Sequence, residues 1–330
     1  MKFPPSCALN DDPEPRIVPF ADEDWPVIVA RVPATSANLG AGFDCLGLAL
    51  ALHNDVALLP GGPFRVDVVG EGAETLPRDR ANLVARTVFR YYDVIGRQAP
   101  SFSLRLTNRI PMTGGLGSSS TAIVGGLLVA NRLADGVLSD EDLLRLACDI
   151  EGHPDNVAPA LLGGLVLSVI EQGRPTCVRL GIPDSLHAVL FLPRFSISTR
   201  EARRRLPSRV PLGDAVFNAG RTALFVAAMT TGRFDLLRIA TEDRLHQPYR
   251  QVLFPSMPRL FDAALAAGAL GVWLSGAGSA LMALVRGRGD EVVRAFEDAA
   301  RANGVAGHAV AIDLSPDGAF LLDPGCDKGS

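Results

Sequence analysis

The chain of 330 residues is nearly free of lysine: only Lys2 and Lys328 occur, both in the outermost terminal segments, and every other basic residue is arginine. A Walker A loop, whose lysine reaches the β- and γ-phosphates of a nucleotide, is therefore excluded, and so is Schiff-base chemistry. Aromatic residues are scarce at 6%, which leaves Ala, Val and Leu to fill the core. The five cysteines, Cys7, Cys45, Cys148, Cys177 and Cys326, are odd in number and form no C-x-x-C pair. Neither a disulfide framework nor a zinc cluster is expected, and the pattern fits a cytoplasmic chain kept reduced. The N-terminus shows no basic stretch followed by an apolar core, so no secretory signal is read there. The 32 basic and 36 acidic residues sum to −4, a charge that offers no sequence-independent attraction to nucleic acid or to an anionic membrane. Small-molecule partners are expected instead.

Residues 263–285 carry no charge, but the glycines of Ser275-Gly276-Ala277-Gly278-Ser279 in their middle would break a membrane-spanning helix. Residues 1–25 hold five prolines and several acids with little apolar pattern, and read as a flexible extension. From residue 27 strand and helix signals interleave. Residues 27–32 form an apolar run, and alternation marks strands around Val66 and Leu104. Helical spacing appears over 82–95, over 120–133, and after the N-cap candidate Ser139, where Asp142 takes the capping-box position. In the second half, strands are expected at 165–170, 187–192, 272–275 and 308–314. Helices are expected at 199–206, 259–267 and 291–303, with a long helical region from 214 to about 245. The pattern is mixed α/β, with a boundary near residues 180–195 but no linker-like tract, so the two halves should share an extensive interface.

Chemistry concentrates in a few segments. Residues 111–122, PMTGGLGSSSTA, follow a strand, contain three glycines and open an apolar helix through three serines. Glycines let backbone N–H groups turn inward and the helix N-terminus adds partial positive charge, which together make a phosphate cradle. With no lysine at hand, much of the remaining phosphate charge falls to a metal ion. Residues 33–48, PATSANLGAGFDCLGL, mix small residues with Asn38 and Asp44; their glycines lack the G-x-G-x-x-G spacing, so a nicotinamide dehydrogenase is poorly supported. Residues 151–159, EGHPDNVAP, crowd acids, an imidazole and an amide before an apolar run. A carboxylate there can ligate Mg²⁺, and Asp155 and Asn156 can orient a nucleophile. The same residues could equally end one helix at His153-Pro154 and cap the next. Residues 274–281, LSGAGSAL, form a second glycine loop. Thr199 and Arg203 share a helix face, and Arg250 lies in LHQPYR. The planar fork of arginine suits a carboxylate.

Taken in order, these segments resemble the galactokinase, homoserine kinase, mevalonate kinase and phosphomevalonate kinase (GHMP) superfamily over residues 27–322. ANLGAGFD, HPDNVAP, STREAR and HQPYR are similar to its homoserine kinase branch. The resemblance implies a two-domain α/β (α+β) fold: an ATP-binding N-terminal domain of the ribosomal-protein type over 26–190 and a ferredoxin-like C-terminal domain over 191–330. It implies transfer of the γ-phosphoryl of ATP to the side-chain hydroxyl of L-homoserine with Mg²⁺, a step of threonine biosynthesis. It implies no nucleic-acid or membrane partner, and a homodimer is compatible with it.

Carried over by position, Pro111, Met112, Thr113, Gly114, Gly115, Leu116, Gly117, Ser118, Ser119, Ser120 and Thr121 would bind ATP, with Gly114 to Ser120 around the triphosphate and Asn82 in the segment that lines the adenine pocket. Ser119 and Glu151 would hold Mg²⁺. Asn38, Asp44, His153, Asp155, Asn156, Thr199, Arg203 and Arg250 would face homoserine, with Asp44 at its ammonium group, Asn156 near its hydroxyl and the two arginines on its carboxylate. Asp155, Asn156, Ser119 and Glu151 form the implied catalytic set, and Gly276, Gly278 and Ser279 would support the phosphate loop. The first motif lacks the cationic residue of mevalonate kinase and galactokinase. Another small-molecule kinase of the superfamily, of mevalonate or shikimate type, and a non-catalytic nucleotide-sensing homologue are the alternatives.

Overall fold

Sequence neighbours do not all stay in one sheet, and where the chain changes sheets decides where the cleft lies. The computed structural model describes residues 27–112 and 114–322; the expected N-terminal extension, Thr113, both lysines, Cys7 and Cys326 lie outside the described residues. Strand β1 (Ile28–Ala37) pairs antiparallel with the long strand β2 (Leu46–Pro60), and their register shifts between Pro33 and Ala34. Proline cannot donate to a strand ladder, so the irregularity falls where the donor is missing. Next come β3 (Arg65–Gly70), helix α1 (Leu83–Val94), β4 (Phe102–Asn108), α2 (Ser118–Leu133), α3 (Asp140–Glu151) and α4 (Pro154–Leu162), then the hairpin β5 (Leu165–Glu171) and β6 (Arg174–Leu180). The Ser139 hydroxyl accepts from the Asp142 N–H at 3.2 Å, so the expected cap does open α3.

The second sheet begins at β7 (Leu186–Pro193). After it come α5 (Thr199–Arg204), α6 (Leu212–Thr231), α7 (Leu237–Ala240), α8 (Gln247–Arg250), α9 (Met257–Ala266), β8 (Gly271–Leu274), β9 (Leu281–Arg286), α10 (Asp290–Ala302) and β10 (Gly307–Asp313). Its strand order, β10-β7-β9-β8, with helical segments between β7 and β8 and between β9 and β10, is the ferredoxin-like arrangement. The chain then returns to the first sheet, where β11 (Phe320–Leu322) pairs with β1. The long helical region expected from 214 to 245 is instead interrupted: Gly232 takes a left-handed conformation (φ 71°) that ends α6.

One apolar core packs α1 to α4 on the first sheet, and another packs α9 and α10 on the second. A third joins the two halves, bringing Leu46, Leu48 and Leu50 of β2 together with Leu186 and Leu190 of β7 and Met282 of β9. That shared core meets the expectation of an extensive interface, and it fixes the two glycine loops relative to each other. Among the described residues, no helix is long and apolar enough to cross a membrane.

Candidate active site

A cleft of about 490 Å³ opens between the two halves, with an apolar end, a glycine-rich middle and a charged end. Val56, Leu76, Leu83 and Leu106 line the apolar end. Asn82 lies there too, but both polar atoms of its side chain are occupied. Oδ1 accepts from the Val84 N–H at 2.9 Å, capping α1, and Nδ2 donates to Pro77 O at 2.9 Å. Asn82 therefore shapes this end by fixing the start of α1.

The middle of the cleft is residues 114–117, which lead into α2. All three carbonyls of Gly114, Gly115 and Leu116 are turned into the protein: they accept from Ala280 N (2.9 Å), Ser275 Oγ (2.7 Å) and Thr35 N (3.0 Å). With the oxygens withdrawn, the loop and the uncapped N-terminus of α2 present N–H groups, an anion-binding arrangement. No acid sits in the first turn of α2 to oppose an anion. Glycine is required at two positions. Both have positive φ, and a Cβ would lie 2.1 Å from Ser275 O at Gly115 and 2.0 Å from Thr35 Oγ1 at Gly117.

Pro111, Met112 and Ser118 also line the cleft. Ser120 is buried, and Thr121 donates to Ser118 O at 2.9 Å while accepting from Asn54 Nδ2 at 3.2 Å, so Thr121 braces the loop from behind. The second glycine loop does support the first, through atoms next to those expected. Ser275 and Ala280 make the bonds, Gly276 packs against Gly115, and the Gly278 N–H bonds Ser275 O within its own turn. Ser279 donates to Phe195 O at 2.6 Å instead.

Glu151 ends α3, and Gly152 in left-handed conformation turns the chain into α4, whose first turn contains Asp155 and Asn156. The turn delivers Glu151 to α2: its Oε1 accepts from Ser119 Oγ at 2.6 Å and from Ser120 Oγ at 3.2 Å. His153 Nδ1 lies 2.6 Å from Asp155 Oδ1, and Asn156 Oδ1 accepts from Thr35 Oγ1 at 2.8 Å. Burial pushes the His153 imidazole down, but its bond to Asp155 and the charges of Asp155 and Glu151 more than offset this, leaving its pKa above the ordinary 6.5. A Cβ at Gly117 would come within 3.3 Å of Asn156 Oδ1, so this cluster lies against the glycine loop.

The charged end is assembled from three distant segments. Between β1 and β2, Asn38 and Asp44 both adopt positive φ (73° and 56°), rare for residues other than glycine and a strain held by tertiary bonds. Asn38 Oδ1 accepts from Asp44 N at 3.0 Å, and its Nδ2 donates to Gly276 O at 2.9 Å. Thr199 starts α5 behind the N-cap Ser198, and Arg203 follows one turn later on the cleft side. The Arg203 guanidinium makes a two-point ion pair with Asp44, at 3.0 and 2.9 Å. Arg250, only 2% exposed, donates through Nη1 to Gly276 O at 2.9 Å, and among the described residues its Nε has no partner. Burial, reinforced by Arg203, lowers its pKa to about 10, so it remains a cation at neutral pH. Cys45 beside Asp44 is not a nucleophile: burial first, then the charges of Asp155 and Asp44, push its thiol up to about 11.

Apart from Thr113, every residue proposed from the sequence is placed at this cleft or in the loops that brace it. Sequence reasoning missed Thr35, Ser36, Phe43, His246 and Ser275. All of them fall inside the quoted motifs, but their small or aromatic character drew no attention. Ser36 accepts from Trp273 Nε1 at 3.0 Å, and Phe43 lies beneath both arginines, 5.9 Å from Arg203 and 5.4 Å from Arg250.

Comparison with known proteins agrees with this geometry. Residues 82–164 match the GHMP kinases N terminal domain and residues 225–302 the GHMP kinases C terminal domain. A homoserine kinase of Desulfitobacterium hafniense is 41% identical over 297 residues, spanning 90% of this chain and 100% of that one. The chain belongs to the homoserine kinase family. A homoserine kinase of Streptomyces avermitilis is 47% identical over 80% of this chain and 88% of its own. The crystal structure of a homoserine kinase from Cytophaga hutchinsonii superposes with a TM-score of 0.83 at 29% identity, covering 91% of this chain and 99% of that one. A mevalonate kinase structure at 12% identity and a TM-score of 0.64 shares the fold. In this homoserine kinase family member the glycine loops and the charged end are two parts of one cleft.

Proposed function

We propose that this chain transfers the γ-phosphoryl group of ATP to the side-chain hydroxyl of L-homoserine, giving O-phospho-L-homoserine and ADP, a step toward threonine. The observation that carries the reading is the contrast within one cleft: a loop whose carbonyls all turn inward lies next to a cluster pairing Asp44 with Arg203 and holding the buried Arg250. The first suits a polyphosphate, and the second suits a small zwitterion. The triphosphate lies along residues 114–120 with the base among the apolar residues near Asn82. The amino-acid ammonium meets Asp44, and its carboxylate meets Arg250 and Arg203, beside Thr199. The zwitterion thereby replaces the internal Asp44–Arg203 pair with two ligand-bridged ones.

Ser119 and Glu151 offer hard oxygen donors, one hydroxyl and one carboxylate. This suits Mg²⁺, which commonly takes one or two carboxylates and completes its shell with phosphate oxygens and water. When bound, that ion neutralises charge on the β- and γ-phosphates. Phosphoryl transfer passes through a loose transition state, so the protein contributes positioning and charge neutralisation. Asp155 and Asn156, against the glycine loop, hold the hydroxyl in line, and His153 keeps the Asp155 carboxylate oriented. In this proposal the ATP-binding unit ends before β7, because a division at residue 190 would split a strand of the second sheet, and β11 packs back onto the first. A coupled ADP-release assay offering homoserine, threonine, mevalonate and shikimate tests it. ADP and phosphohomoserine should form with homoserine, and turnover of another alcohol without homoserine would refute the assignment.

A further inference from the structure

His246 opens the same HQPYR stretch as Arg250, one helical turn ahead, and the reaction as described leaves it without a role. Its ring is fully buried. Nε2 lies 2.8 Å from Gly40 O, Nδ1 lies 3.1 Å from Arg250 Nη1, and the ring stacks on Phe43 with centroids 5.2 Å apart. A carbonyl only accepts and an arginine only donates. The two partners therefore assign the tautomer: Nε2 carries the proton and Nδ1 is bare.

On the arginine side, both hydrogens of Nη1 are spent, one on His246 Nδ1 and one on Gly276 O at 2.9 Å. What is left is the Nε/Nη2 edge, the pair of parallel N–H groups on which a carboxylate makes two-point contact. Nε has no partner among the described residues although it is buried. An unmet buried donor costs stability unless something arrives to meet it.

We propose that His246 is a positioning residue, whose neutral, Nε2-protonated ring holds Arg250 through Nη1 and so turns the Nε/Nη2 edge toward the carboxylate of the amino-acid substrate. The inference rests on the proposed function, since it assumes that the carboxylate is the ligand of Arg250. The groups around the ring agree with neutrality. Asp243 comes within 3.5 Å of Nε2, but its carboxylate already accepts from the backbone N–H groups of Leu245, His246 and Gln247 and from Asn218 Nδ2. Burial lowers the imidazole, Asp243 raises it, Arg250 lowers it again, and Asp44 adds a smaller upward pull; the result is about 4. A protonated ring could not accept from Arg250, and the anchor would be lost.

The test compares wild type with His246→Phe, which keeps the stack on Phe43 and loses both bonds, and His246→Gln, whose amide can both donate to Gly40 O and accept from Arg250. Losing the orienting bond to a charged group should raise the KM for homoserine about tenfold or more. The KM for ATP should stay within about twofold and kcat within about threefold, and Gln should restore most of the loss. Parallel rises in both KM values, or Gln behaving like Phe, would overturn the proposal. Should the Phe variant not fold, nitrogen NMR of histidine-labelled wild type decides: a bare Nδ1 near neutral pH supports the inference, and a protonated one refutes it. Wild type that releases no ADP with homoserine overturns the proposed function itself. An active wild type with an unaltered Phe variant removes only the role of His246.

Discussion

The glycine-rich middle of the cleft and its charged end are built in opposite ways. The glycine loop, to which the proposed function assigns the phosphates, is one contiguous stretch that presents its backbone, and its side chains matter chiefly by being absent at Gly115 and Gly117. The charged end, together with the 153–156 cluster beside it, is built from side chains brought from four places: residues 38–44, 153–156, 199–203 and 246–250. A backbone device tolerates no added atom. A side-chain device can lose one member and keep its shape. Substitutions at the first should therefore disable the protein, while substitutions at the second should shift one substrate's affinity at a time.

The sharpest break is Gly115→Ala. The methyl group would lie 2.1 Å from Ser275 O at φ +77°, so the two glycine loops must separate. Activity should fall at least about a hundredfold, a cost near 3 kcal/mol, with ATP binding lost in calorimetry. Next, Glu151→Gln keeps the contact with Ser119 but removes the charge. Turnover should fall by about tenfold or more and the Mg²⁺ titration should shift to higher concentration. An unchanged titration would refute a metal role for Glu151.

Arg250→Ala should raise the KM for homoserine far more than that for ATP, by about tenfold to a hundredfold. Equal effects on both would erase the distinction between the two regions. Asp44→Asn sharpens it further. The Asp44–Arg203 pair is 36–38% exposed, so its loss should change unfolding free energy by under about 1 kcal/mol in urea titration while homoserine affinity still drops.

The remaining effects concern pH, and the two histidines should act with opposite sign. His246 has a folded-state pKa of about 4, below its ordinary 6.5. The unfolded chain then binds a proton that the folded one does not, and stability should decline as pH falls from 6.5 toward 4. His246→Gln should flatten that slope. His153 is raised instead, so its contribution is fully present below 6.5 and is lost as pH climbs through its higher folded value. Thermal melts across this range on wild type, His246→Gln and His153→Gln should separate the two slopes.

Much of the fold was legible because local physics dictates it. The Ser139 cap, the Asn82 start of α1 and the buried stripe of Val292, Phe296 and Ala300 on α10 all follow from residues close in sequence. The length of β2 was not legible. Leucine alternates with glycine and alanine over 46–52, an alternation of size rather than polarity, and His53, Asn54 and Asp55 interrupt the apolar run in mid-strand, so no polar-apolar period announced one continuous strand. The end of α6 at Gly232 was hidden because apolar residues resume at helical spacing beyond it.

By itself the sequence determined the chemistry available: arginine without lysine, two glycine loops after strands, and a carboxylate-imidazole-amide cluster at a helix junction. These depend on side-chain type and on conformational freedom, properties each residue carries wherever it lies. Only the tertiary structure decided which of those groups meet. Thr35 reaches Asn156 across 121 positions and Ser275 reaches Gly115 across 160, and no local pattern encodes either contact. The core that packs α4 on the first sheet sets the first distance, and the apolar core shared between the sheets sets the second, because burying that surface fixes the two halves in one relative position.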